Sequence, residues 1–174
     1  MSEKMELHRD WLEFIECLNA NQVEYLIVGA LAIAHHIRPR FTKDLDVWVN
    51  PTLANGERIV SALQAFGFPL FGVKPADFEN PDMILQLGVE PVRIDVITGI
   101  TGVTDFQKAW KDSDAGLFDK IPVHYLGRET LRQNKIATGR PQDLADVRIL
   151  EIDDEETGRL PKTPVGFERD TRIA

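Results

Sequence analysis

Two short segments constrain this chain more than any other feature: FTKDLDVWVN at residues 41–50 and PVRIDVITG at residues 91–99. Both alternate with a period of two, as an extended strand does when successive side chains point to opposite faces. In the first, Leu45, Val47 and Val49 share one face, opposite Asp44 and Asp46. In the second, Val92, Ile94 and Val96 stand opposite Arg93, Asp95 and Ile97. A strand with one apolar face must lie over a core, so these acids belong to a sheet.

The remaining segments alternate between helical and extended patterns. Leu7, Trp11, Leu12, Ile15 and Leu18 recur at helical spacing. Residues 25–29 form a short apolar run ending at Gly29, where the chain turns into a helix over 30–36. Ile59, Val60, Leu63 and Phe66 mark a helix stopped by Gly67. Residues 68–81 contain three prolines and read as a short strand plus loop. Residues 83–87 form another strand, followed by a helix at 104–111, a strand at 122–126 and a helix at 127–136. Pro141 suits the first position of a helix through Leu150.

This interleaving predicts an α/β (α+β) domain, a mixed sheet flanked by helices with further helices at the C-terminal end. One domain over residues 1–152 accounts for nearly all of the 174 residues. Residues 153–174 begin with an acidic run and continue through Pro161 and Pro164, which reads as a tail, surface-lying or disordered. There is no internal repeat.

Charge and cysteine content narrow the classes of function. Twenty Lys and Arg against 28 Asp and Glu leave a formal net charge of −8, which disfavours nonspecific binding to duplex DNA. A local basic patch for one nucleotide or an RNA end remains compatible. The single Cys17 allows no internal disulfide and favours a reducing compartment. With no apolar h-region near the N-terminus and no run approaching ~18 apolar residues, the expectation is a cytoplasmic protein without a membrane partner.

Asp44, Asp46 and Asp95 are the chemically informative residues. They are either solvent-facing acids of an edge strand or a ligand set. Three carboxylates on neighbouring strands would repel one another and raise their pKa values unless a cation compensated them. Their hard oxygens suit Mg²⁺, which also engages substrate phosphates. The helix that begins after Gly29 would offer backbone N–H groups to an anion beside those acids.

In order and context, Gly29, the pair Asp44 and Asp46, and Asp95 resemble the nucleotidyltransferase superfamily. That superfamily includes DNA polymerase beta, the aminoglycoside and lincosamide nucleotidyltransferases and small bacterial nucleotidyltransferase-like proteins. The segment NKIATGRPQDLADVRIL, with Lys135, Arg140, Asp143 and Asp146, resembles the C-terminal portion of the small bacterial members. The resemblance spans roughly residues 23–150. It implies transfer of an NMP unit from an NTP to a hydroxyl acceptor, a small molecule, RNA end or protein, with release of pyrophosphate. It also implies that Asp44 and Asp46 bridge two Mg²⁺ (or Mn²⁺) ions while Asp95 contacts one of them and eases deprotonation of the acceptor. Gly29 and Ala30 would cradle phosphate, and Arg38, Arg40, Lys43, Lys135 and Arg140 are the cations available to the pyrophosphate.

Ala30 departs from the pattern, since the family has Gly or Ser there and alanine offers no hydroxyl. This departure supports an alternative reading, a weak or inactive member retained as an interaction module that partners a toxin or another helical domain; a homo-oligomer or a partner protein is compatible with either reading.

Other residues carry open alternatives. Arg38, Arg40 and Lys43 are either a solvated loop or a phosphate-contacting patch, and Thr42 can fix the turn before the strand. Asp143 and Asp146 either orient Lys135 and Arg140 by ion pairing or solvate their helix. Trp48 is either a platform for substrate or a packed aromatic. His35 and His36 are adjacent on a helix and so point in different directions, which argues against chelation.

Overall fold

The computed structural model describes residues 7–159. Its elements are α1 (Arg9–Ala20), β1 (Tyr25–Val28), α2 (Gly29–His36), β2 (Asp44–Val49), α3 (Leu53–Phe66), β3 (Ile84–Leu87), β4 (Arg93–Ile97), α4 (Phe106–Lys111), β5 (Asp114–Phe118), β6 (Ile121–Tyr125), α5 (Arg128–Thr138) and α6 (Pro141–Thr157). The strands form one mixed sheet in the order β3-β4-β2-β1-β6-β5. β2 is parallel to β4 and β1 to β6, whereas the β1/β2, β3/β4 and β5/β6 pairs are antiparallel. The α/β class with C-terminal helices is therefore the one the alternating patterns indicate.

Period-two alternation divides the apolar residues between two cores. Leu45, Val47, Val49, Ile94 and Val96 pack with Trp11, Phe14, Ile15, Leu18, Ile59 and Leu63, which places α1 and α3 on one face. On the other face Leu26, Val28 and Trp48 pack with Ala32 and Ile33 of α2, Phe106 of α4, Leu131 of α5 and Leu150 of α6. Asp44 and Asp46 share the second face with Trp48. Both are half-buried there, and the start of α2 lies against Asp46.

Helix ends follow local chemistry. The Thr52 side chain accepts from the Asn55 N–H to start α3, and Gly67 at φ +87° ends it in the left-handed conformation that costs glycine little. Pro141 occupies the first turn of α6.

Three sequence expectations are corrected. Residues 68–81 hold no strand: a 3₁₀ turn, Pro75–Glu79, buries Phe78 beneath α3, and the prolines deprive the segment of ladder donors. Strand β5 was not expected, because its DAGLF sequence has little β-branched material; it exists as the outer half of a hairpin with β6, with Asp119 at φ 55° in the turn. Finally, α6 continues past residue 152 to Thr157. Arg128, the first residue of α5, donates to Asp153 at 2.6 Å and Asp154 at 2.7 Å and so holds the acidic run in helical form. The rest of the expected tail, from residue 160, lies outside the described residues.

Candidate functional site

The site grows from a turn. β1 ends at Val28, and Gly29 enters α2 with φ +64°, a conformation open to glycine at little cost. A Cβ at position 29 would collide with Asp46 Oδ2. The absence of a side chain therefore lets the first turn of α2 sit directly against that carboxylate. No side chain caps this helix, so its first N–H groups remain available as donors beside the acids.

The parallel register pairs Asp46 with Asp95, and Asp44 lies two residues upstream on the same face. One carboxylate oxygen from each of Asp44, Asp46 and Asp95 lies within 4.8 Å of the others. Asp95 is 7% exposed. Asp44 accepts a hydrogen bond from Thr42 Oγ1 at 3.0 Å, which fixes the carboxylate as the chain enters β2.

This crowding has an electrostatic signature. Burial, followed by the charges of Asp44 and Asp95, pushes the Asp46 carboxyl up to about 7. A hydrogen bond with Asp95 favours the protonated form as well, and only Arg93 opposes the shift. Arg93 is the cation inside the cluster: its Nη2 lies 2.9 Å from Asp44 Oδ2 and its Nε 3.0 Å from Asp95 Oδ1. The second contact is one of charge without hydrogen-bond alignment, so Asp95 Oδ1 is buried without a donor. A buried orphan carboxylate oxygen among three hard donors fits a divalent cation.

Arg93 was not singled out as a site residue from sequence, although its period-two relation to Asp95 places the two side chains on one face. The other expected cations have different surroundings. Arg40 donates to Asp146 at 2.7 Å, and Lys135 Nζ lies 3.2 Å from both Asp143 and Asp146. Arg140 Nε donates to Asp143 at 2.7 Å. Asp143 and Asp146 are buried, and Arg140, with help from Thr138 and Lys135, holds the Asp143 carboxyl well below the usual range. These residues form an internal ionic network joining the loop before β2 to α5 and α6. Arg38 and Lys43 are exposed, with Lys43 4.0 Å from Glu90.

Trp48 is a core residue rather than a platform. It is 2% exposed, donates from Nε1 to the Thr98 carbonyl at 3.1 Å and meets Phe106 edge to face.

His35 and His36 depart further from expectation, because both rings swing toward the β5/β6 hairpin. His35 Nε2 donates to Asp114 Oδ2 at 2.6 Å while its ring stacks on Tyr125 at 3.9 Å. His36 Nε2 donates to the Leu126 carbonyl at 2.7 Å, and the two ring centroids are 5.0 Å apart. The helix ends here, so partners outside it decide where the rings point. Asp114 was missed because the strand carrying it was missed.

A cleft of about 910 Å³ lies elsewhere, between α4, the start of α5 and the end of α6. Its Arg128 and Arg132 are already paired with acids of α5 and α6. The acid cluster contributes nothing to its wall, and carboxylate geometry is the better guide to chemistry here than volume.

A scan against models of known protein families found none that matches this chain, and a search of curated proteins found no similar sequence.

Proposed function

We propose that this chain is a nucleotidyltransferase that moves an NMP unit from an NTP to a hydroxyl acceptor and releases pyrophosphate, with Asp44, Asp46 and Asp95 holding Mg²⁺ or Mn²⁺. The observation that carries this reading is the convergence of three carboxylates on two parallel strands against the uncapped start of α2. Bound divalent ions would supply charge stabilisation for the phosphates and acidify the acceptor hydroxyl.

The chain's own groups account for the rest. The N–H groups following Gly29 begin α2 beside Asp46 and would donate to a phosphate without help from the Ala30 side chain. Asp46, titrating near neutrality, gives up its proton when a cation enters. Asp95, with one oxygen unsatisfied, is the acceptor for the proton of the attacking hydroxyl. Arg93, paired with both Asp44 and Asp95, is the charge that a divalent ion competes with for the carboxylates.

A second reading is favoured by the internal pairing of Arg40 and Lys135, which leaves the pyrophosphate side fewer cations. On that reading the chain is a weak or inactive nucleotidyltransferase-like module that works through a protein partner, such as a toxin.

Titration with Mn²⁺ and a nonhydrolysable NTP separates the two, followed by a transfer assay with α-labelled NTPs in cell extract. The active reading expects nucleotide binding that depends on Mn²⁺ and a labelled acceptor. Asp44→Asn should lower transfer by ~10²-fold or more while leaving the melting temperature close to wild type. Near-full transfer by a folded Asp44→Asn protein would remove the carboxylates from the mechanism.

A further inference from the structure

We propose a second, chemically distinct metal site at the opposite end of α2, where His35, His36 and Asp114 bind one divalent transition-metal ion of the zinc class. One ligand atom from each of the three lies within 4.8 Å of the others, and the ligands come from two elements that are remote in sequence. Two imidazoles with one carboxylate form a donor set suited to zinc, whereas the all-oxygen cluster at the start of α2 suits magnesium.

The argument starts at Leu126. A carbonyl only accepts, so the 2.7 Å contact assigns the proton of His36 to Nε2 and leaves Nδ1 of the neutral ring with a free lone pair. Metal-binding histidines are typically anchored in this way, one ring nitrogen on a backbone carbonyl and the other on the ion. His35 is fixed by different means. Its ring lies parallel to Tyr125 at 3.9 Å, and a Cβ on Gly116 would come within 2.9 Å of its Cε1. Gly116 thus leaves room for the ring that Tyr125 orients.

Asp114 supplies the adjustable ligand. Its Oδ2 stands 2.6 Å from His35 Nε2, whereas two ligands on one tetrahedral zinc stand about 3.3 Å apart, given metal-ligand bonds near 2.0–2.1 Å. Asp114 lies on the edge strand β5 with 54% of its side chain exposed, so it is the group that moves. The ring proton passes from Nε2 of His35 to Nδ1 as the ion takes its place. Three protein ligands leave a further position to solvent, and the ion ties the end of α2 to the sheet edge.

The test is a titration of the full chain with Zn²⁺ in excess Mg²⁺, with Co²⁺ absorption as a second readout. One Zn²⁺ per chain is expected, with affinity at least about tenfold weaker in Asp114→Asn. His36→Gln should alter the visible spectrum of bound Co²⁺. Asp44→Asn should leave Zn²⁺ affinity unchanged, which separates this site from the proposed transferase centre. Because Asp114 is exposed, its variant should melt like wild type. Absence of stoichiometric Zn²⁺, or binding that survives Asp114→Asn, overturns the proposal.

Discussion

Arg93 is the residue on which the acid cluster turns. It contributes one positive charge within 3.0 Å of two carboxylates and thereby occupies electrostatically the ground a divalent ion would take. Like charges repel, so a guanidinium held this close to the carboxylates opposes the entry of a second cation. Arg93→Gln should therefore tighten Mn²⁺ binding by about tenfold or more while lowering the melting temperature in chelator. Weaker Mn²⁺ binding would show instead that Arg93 chiefly aligns the ligands. Asp46 yields a pH prediction. Its folded pKa is raised, so the native state holds a proton that the unfolded chain releases near 4. In chelator, stability should fall as pH rises from about 4 to about 7 and then level off, by no more than about 4 kcal/mol. Asp46→Asn should flatten that dependence, and thermal melts across the range check it. At this scale the sequence was informative: strand alternation placed Asp44, Asp46 and Asp95 on one side. The Arg93 pairing was less legible, since alternation gives a face but no contact. Asp114 was hidden by the weak strand pattern around Gly116.

Among the elements, α6 shows how a distant partner overrides local preference. Acidic residues at a helix C-terminus oppose the helix dipole, and this helix has no basic residue in its last turn. Arg128 supplies the missing charge from α5, donating also to the carbonyls of His36 and Leu150. Arg128→Ala should cost about 1–3 kcal/mol and accelerate amide exchange over residues 151–157. Unchanged exchange there would mean that the helix persists by itself. The shorter helix read from the sequence reflects this non-local support, because nothing between Leu150 and Thr157 announces Arg128. Strand β1, by contrast, was legible as a continuous apolar run buried on both faces, and β2 and β4 from the period-two alternation of aliphatic with polar side chains.

At the scale of the molecule, an ionic network joins the loop before β2 to α5 and α6. Lys135 lies between Asp143 and Asp146, Arg140 pairs with Asp143, and Arg40 reaches Asp146 from the loop that delivers Asp44. Removing one partner of a buried pair leaves an uncompensated charge, so Lys135→Met should destabilise by about 3–5 kcal/mol in a denaturant titration. A neutral outcome would mean that water or Arg140 takes over the role. The helical order of this region was legible from Gly139 and Pro141. The burial of its charges was not, since an acid three residues from another reads equally well as a solvated face. The contact between Gly29 and Asp46 Oδ2 also sets an order on substitution over evolutionary time. While the carboxylate stands, any L side chain at position 29 collides with it; once position 46 is shortened, position 29 is released from the collision and keeps only its backbone preference.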